Sequence, residues 1–279
     1  MDAQALSVLS RHSALSLAAL RDGDWLKPLP LSFTPYLEPD LAQVLKYKGK
    51  TNADFTAMML HCARMASDFA LTQQPLTVLD PMCGRGTTLF CALIEGDHAI
   101  GIDTDAKSIH EADVYFERYL QYHRLKHRRE ERSMTMRQGA ALKELDFTLA
   151  ASAEAYKQGD TRTLHLIHGD TAVADQAVGV GSCHLIVGDL PYGVQHAPKE
   201  GGSLRSITAM LEAALPAYGR ALKPGGALAL AFNTYTLPKS RLIDLIRNAG
   251  LKPLETPPYD DFAHWVEQAV NRDMVIARR

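Results

Sequence analysis

Hydrophobic and polar positions fall into two regimes that meet near Leu76. Before that point, residues 3–20 carry apolar positions at helical spacing and predict a short amphipathic helix. The stretch "RDGDWLKPLPLSFTPYLEP" breaks the pattern with prolines and predicts an irregular connector. "DLAQVLKYKGKTNADFTAMMLHCARMAS" predicts a helix, a loop at residues 48–52 and a second helix. Residues 1–72 thus read as a helical cap and linker, set on a domain spanning 73–279.

From Leu76 onward, short apolar runs alternate with amphipathic ones. "LTVLD" is a strand, "TTLFCALIEG" a helix closed by Gly96, "HAIGID" a strand, and "DAKSIHEADVYFERYLQYHRLKHRREER" one long helix. A helical stretch over 140–157 follows, so 112–160 reads as a helical, basic, insertion-like region. Then come the strand "TLHLIHGD", a short helix, the strand "CHLIVGD", the helix "SITAMLEAALPAYGRAL", the turn "KPGG" and the strand "ALALAF". A helix over 239–249 and strands around "LKPLETP" and "DMVIARR" complete the chain. Strands alternating with helices predict an α/β fold with a doubly wound, mostly parallel, seven-stranded sheet, because each parallel crossover needs a helix packed on a face.

The chain's 279 residues, 46% of them hydrophobic, suffice for one large α/β domain with a small helical appendage. A formal net charge of −2 means that any nucleic-acid surface must be a local patch. One candidate is the run Arg118, Arg124, Lys126, Arg128, Arg129, Arg132 and Arg137, which reads either as a solvated face or as a phosphate-binding patch centred on Arg124, Arg128 and Arg132. Tyr115, Tyr119 and Tyr122 fall at helical spacing and read as packing. The four cysteines form no C-x-x-C pair, and His123 and His127 have no acidic or thiol partner in register, so the sequence supports neither a disulfide framework nor a metal site. With no signal-peptide core and no transmembrane run, a reduced cytoplasmic chain is expected.

Chemistry concentrates where strands end. Asp80, Asp103, Asp170 and Asp189 each close a successive predicted strand, and in open α/β sheets ligands bind in the crevice outside those carboxyl ends. "LDPMCGRGTTLF" places Gly84 and Gly86 between the first strand and its helix, where absent side chains let the backbone approach a ligand. Leu89 stands where a dinucleotide loop would have its third glycine, and no Gly-Lys-Ser/Thr follows, so neither a G-x-G-x-x-G loop nor a P-loop is present. Asp103 stands where a carboxylate can accept from both hydroxyls of a ribose. "LIVGDLPYGV" ends an apolar strand in a carboxylate, followed by Leu190, Pro191, Tyr192 and Gly193. Alone, that reads as a β-turn or as a site.

Taken together, "DPMCGRGT", "DLPYG" and "LKPGG" resemble the class I S-adenosylmethionine-dependent N-methyltransferases. In those enzymes the fourth strand ends in Asp/Asn/Ser-Pro-Pro-aromatic. Leu190 in place of the first proline resembles the RNA guanine-N2 methylase branch, including THUMP-associated tRNA methyltransferases, although no THUMP domain is recognised here. The resemblance covers residues 75–279 and implies a Rossmann-like fold, S-adenosylmethionine as cofactor and no metal. It also implies methyl transfer to an exocyclic amine of a nucleobase, with guanine N2 in tRNA or rRNA foremost. DNA adenine-N6 or cytosine-N4 methylation, protein-glutamine methylation and a non-catalytic cofactor-binding subunit are the competing readings. RNA is the expected partner, DNA the second, and a protein partner or homodimer a third.

Residue by residue, the resemblance implies that Asp80, Met82, Cys83, Gly84, Gly86 and Thr87 wall the methionine part of the cofactor, with Asp80 toward its ammonium. Asp103 with Thr104 would hold the ribose, and Asp170 with Thr171 the adenine. Lys50 and Thr51 read either as a surface loop or as a segment folded over the cofactor carboxylate. Asp189 and the Leu190 carbonyl would accept the two hydrogens of the target amine, with Pro191 stiffening the loop and Tyr192 stacking on a flipped base. "VQHAPKEGGSL" would act as a lid.

Overall fold

The computed structural model describes residues 17–30, 33–44, 50–135, 141–191 and 204–279, together with Leu6 and Ser10. The expected N-terminal connector contains a hairpin instead. Strands β1 (Ala18–Asp22) and β2 (Trp25–Leu29) pair antiparallel, apart from the main sheet. The turn is Gly23-Asp24, with Gly23 at φ 57°, so "GD" was a two-residue hairpin signal that the neighbouring prolines obscured. Of the helix expected over 3–20, Leu6, Ser10 and residues 17–20 are described: the Ser10 amide donates to the Leu6 carbonyl, and Ala18, Ala19 and Leu20 lie in strand β1 instead.

Helix α1 (Asp40–Gln43) is short, and α2 (Ala53–Ala66) starts where Asn52 caps it by accepting from the amides of Asp54 and Phe55. Leu37, Leu41, Met59, Leu60 and Ala63 are fully or nearly fully buried and share one core with the central sheet. Helix α2 therefore packs directly on the strands that follow, and α1 on the helix after the first of them.

Those strands are β3 (Thr77–Asp80), β4 (His98–Asp103), β5 (His127–Thr135), β6 (Ala141–Leu149), β7 (Arg162–His168), β8 (Cys183–Asp189), β9 (Leu222–Asn233), β10 (Lys252–Pro253), β11 (His264–Glu267) and β12 (Val270–Arg278). They form a ten-stranded sheet in the order β10-β12-β9-β8-β3-β4-β7-β6-β5, with β11 on the side of β12. The inner five, β9-β8-β3-β4-β7, run parallel, while β12 and the β5-β6 hairpin are antiparallel additions. The intervening helices are α3 (Thr87–Ile94), α4 (Ala106–Tyr122), α5 (Ala153–Gln158), α6 (Ala174–Val178), α7 (Leu204–Ala221) and α8 (Lys239–Asn248). Chain order reverses on either side of β3, and the crevice for a ligand lies at such a switch point.

Two expectations about 105–160 are corrected. The long helix stops at Tyr122, because Arg124 adopts a left-handed φ of 55° and the Leu125 amide turns back to the Leu120 carbonyl. Residues 127–135 and 141–149 then form two antiparallel strands, β5 and β6, rather than helix. On β6, Leu145, Phe147 and Leu149 are buried on one face, a period of two. On β5 the corresponding inward residue is Arg129, which makes two 2.8 Å hydrogen bonds to buried Asp113 of α4, so no apolar period marks the strand. The expected "KPGG" turn lies within β9. Cys183 pairs with Leu222 but Leu185 pairs with Ala227, so the glycines bulge out of an otherwise continuous ladder.

Candidate active site

The loop after β3 is stitched to the end of β4. The Cys83 amide donates to the Ile102 carbonyl (3.0 Å), the Gly84 amide to Asp103 Oδ2 (2.7 Å), and the Gly86 amide to the Cys83 carbonyl (2.8 Å). Gly84 and Gly86 take φ of 51° and 90°, a region that favours glycine. A Cβ on Gly84 would meet nothing within 4 Å, so the loop leaves open space beside Asp103. Gly101 was not singled out from sequence. A Cβ there would lie 2.5 Å from Leu89 and 2.7 Å from Cys83 Sγ, so a glycine inside β4 is what lets the loop lie against the strand.

Three carboxylates share this cleft. Asp80 is 3% exposed; its Oδ1 accepts from the Met82 amide at 3.1 Å. Burial pushes its pKa up to about 7, against the Thr88 and Met82 hydrogen bonds, and the nearby Asp103 and Asp189 add to the rise. Asp103 accepts from Gly84 on one oxygen and from the Asp105 amide (2.8 Å) on the other; burial raises its pKa as well. A carboxylate has about four acceptor sites, so these two bonds leave capacity for a diol.

Other expected cofactor residues are more varied. Asp170 is exposed and its Oδ1 accepts from the Ala172 amide (2.9 Å), capping the turn Thr171–Val173 at the end of β7. Thr171 is buried and hydrogen bonds the Tyr218 hydroxyl, so its side chain faces α7. Thr104 is exposed and its carbonyl accepts from His168 Nε2 (3.1 Å). Met82 packs half-buried against the core, and Thr87 opens α3. Cys83 is buried, and burial holds its thiol well above the usual range, hence protonated. Lys50 Nζ donates to the carbonyls of Ala42 (2.6 Å) and Gln43 (3.2 Å) at the end of α1.

Asp189 closes β8, opposite Ala231 of β9, and the Leu190 amide donates to the Ala231 carbonyl (2.9 Å). The Leu190 side chain is 3% exposed, filling the core where the resemblance expects proline. The Asp189 Oδ2 accepts from Thr51 Oγ1 at 2.6 Å and lies 4.0 Å from Arg272 Nη2. The segment before β3 therefore reaches the end of β8 through Thr51. Arg272 escaped sequence reasoning, although a cation within "VNRDMVIAR" beside buried Met274 and Ile276 was its signal. Pro191 is half-buried; Tyr192, Gly193 and the expected lid lie outside the described residues.

Of the basic patch, Arg124, Arg128 and Arg132 are exposed, but Arg128 and Arg132 both pair with Glu130. Among the described residues, the group that could hold a metal ion is Glu144, Asp146 and His165, on β6 and β7.

The acidic strand ends, the open face of Gly84 and the exposed end of β7 suit a ligand with a cationic head, a diol and a flat base, which is the chemistry of S-adenosylmethionine. Among solved structures, TrmN from Thermus thermophilus is 17% identical with a TM-score of 0.45, the match covering 86% of this chain and 51% of that one. Magnesium protoporphyrin IX methyltransferase from Synechocystis PCC 6803, with bound SAM, is 14% identical at TM-score 0.48, covering 84% and 86%. A TehB-like SAM-dependent methyltransferase from Corynebacterium glutamicum is 16% identical at TM-score 0.42, covering 75% and 83%. No curated protein matches. The model of the UPF0020 family, RMKL-like methyltransferase domain, matches residues 46–249, which include the cleft except Arg272. Since that match takes in most of the sequence, the chain belongs to this family and is an S-adenosylmethionine-dependent methyltransferase.

Proposed function

We propose that the protein methylates an exocyclic amine of a nucleobase, guanine N2 in tRNA or rRNA. The observation that carries this reading is the Asp189 carboxylate at the end of β8, beside Asp80 in the cleft and held by Thr51. In this reading Asp80 faces the cofactor ammonium, Asp103 the ribose and Asp170 the adenine. The cofactor supplies a methyl group made electrophilic by a positive sulfur.

An exocyclic amine is a weak nucleophile because its lone pair is delocalised into the ring. Acceptors for both amine hydrogens draw that lone pair toward the reacting direction. Asp189 supplies one, and the Leu190 carbonyl supplies the other, a role that survives the change from proline because it is main chain. Holding amine and methyl in line supplies much of the acceleration. The methylated amine is strongly acidic, so an ionised Asp189 accepts its proton. Tyr192 offers a face for the extruded base.

The test is mass spectrometry of nucleosides from total RNA and DNA of a strain lacking the gene. One methylated guanosine should vanish from RNA, return with the wild-type gene, and stay absent with Asp189→Asn. That variant should slow single-turnover transfer by about 100-fold to 10,000-fold, the scale of general-base catalysis. Loss from DNA instead would make the substrate DNA. No loss from either would favour the non-catalytic reading.

A further inference from the structure

We propose that Thr51 and Arg272 are positioning residues for Asp189, setting the orientation and charge of its carboxylate. The inference rests on Asp189 being the acceptor for the target amine. Three residues distant in sequence meet at one atom: Asp189 Oδ2 takes the Thr51 hydroxyl at 2.6 Å and has the Arg272 guanidinium at 4.0 Å. Rotation about the last bond of an aspartate is broad and roughly two-fold, so an unheld carboxylate samples many planes. Contacts gathered on one oxygen select one plane, and with it the direction in which Oδ1 is presented.

Each positioning group is itself held. Asn52 caps α2 through the amides of Asp54 and Phe55, which fixes Thr51 immediately ahead of the helix and turns Phe55 toward β12. The Arg272 guanidinium lies 4.6 Å from the centre of the Phe55 ring, and His264, the β11 register partner of Arg272, packs against the same ring at 5.2 Å.

Folding energetics alone do not account for a buried Arg272. It is 7% exposed, and the positions that follow on its own face of β12, Met274 and Ile276, are buried apolar residues. Taking a guanidinium out of water costs several kcal/mol, and an apolar residue of similar volume is commonly as stable at such a position. A cation here does something an apolar residue cannot: at 4.0 Å it favours the ionised form of Asp189. The other carboxylate in the cleft that feels Asp189 is Asp80, which pushes the opposite way.

The test uses the full chain labelled with 13C at aspartate carboxyls, with the Asp189 resonance assigned by its loss in Asp189→Asn. Arg272→Gln should raise the Asp189 titration midpoint by about 1 pH unit or more, the scale for removing a charge at this distance. Thr51→Val should also raise it, and Thr51→Ser and Arg272→Lys should return it toward wild type. Should Arg272→Gln fail to fold, the Thr51→Val and Thr51→Ser pair carries the test alone. With tRNA and rRNA from the deletion strain as acceptor, Thr51→Val should lower kcat about tenfold or more and leave the KM for S-adenosylmethionine unchanged, as loss of alignment does. Midpoints equal to wild type in the folded variants overturn the proposal. Failure of the underlying reading looks different: Asp189→Asn would transfer methyl at the wild-type rate, whatever the midpoints do.

Discussion

Carboxylates crowd two places in this fold, the cleft above β3 and the hairpin at the far edge of the sheet, and the two treat them in opposite ways. Among the described residues around β5 and β6, the acidic groups other than Glu144 each have an arginine or lysine beside them. Asp113 takes both nitrogens of Arg129, Glu130 sits between Arg128 and Arg132, Glu131 pairs with Lys143, and Asp146 pairs with His165 and Arg132. In the cleft, Asp80 is buried against two further carboxylates and is held by neutral hydrogen-bond donors. Compensated charge is architecture, whereas a buried carboxylate raised by its neighbours at a strand end is the candidate site for a ligand cation.

The strongest way to break that comparison is Asp80→Asn. A carboxyl raised from 3.8 to about 7 by folding imposes a cost that is absent below pH 3.8, grows as pH rises, and is complete above about pH 7. At 1.36 kcal/mol per pH unit this is up to about 4 kcal/mol. The ligand-free Asn variant, keeping an oxygen for the Met82 amide, should therefore be more stable than wild type at pH 8, and the gain should shrink toward pH 4. Cofactor affinity should behave inversely. With Asp80 facing the ammonium, wild type binds S-adenosylmethionine more tightly as pH rises to about 7, while the variant binds weakly and without that dependence. Denaturant unfolding and calorimetry at several pH values check both limbs, and a variant destabilised at pH 8 would make Asp80 a structural group.

The matching change in the hairpin is Arg129→Ala, which strands the buried Asp113 carboxylate. Removing one partner of a buried pair costs about 3 to 5 kcal/mol, and the partial exposure of Arg129 places this case near the lower end. The melting temperature should fall while the dissociation constant for S-adenosylmethionine stays at its wild-type value. Weakened cofactor binding would show the two regions to be coupled.

The same contrast explains what could be read from the sequence. Asp80, Asp103 and Asp189 were legible because each ends a buried apolar strand, where a carboxylate has no packing reason to be, and the parallel core followed from the same apolar runs. The hairpin was illegible because its inward positions include a salt-bridged Arg129, so charge hid a period of two and read as helix continuing from α4. Lys50 and Thr51 were read as one segment, yet a single residue step sends one to the α1 carbonyls and the other to Asp189. Which neighbour faces a site depends on tertiary placement, which adjacency in sequence does not carry.

The smallest effect expected is from Arg124, Arg128 and Arg132 together. Arg128, Glu130 and Arg132 alternate along one face of β5, and register sets Glu130 beside Asp146 and Arg132 beside Glu144. Two guanidiniums therefore share a face with three carboxylates and His165, and Arg124 lies in the turn before the strand. Such a face has little net positive potential to offer a phosphate backbone. Each phosphate contact adds about 0.7 to 0.9 to the slope of log K against log salt, so three true contacts would contribute between about two and three units. The triple alanine variant should change the slope for tRNA by less than about one unit and leave methyl transfer near wild type, as read by binding titrations between low and physiological salt. A loss of two units or more would mean that the nucleic acid displaces Glu130 from both arginines, and the hairpin would then be a docking edge rather than a balanced one.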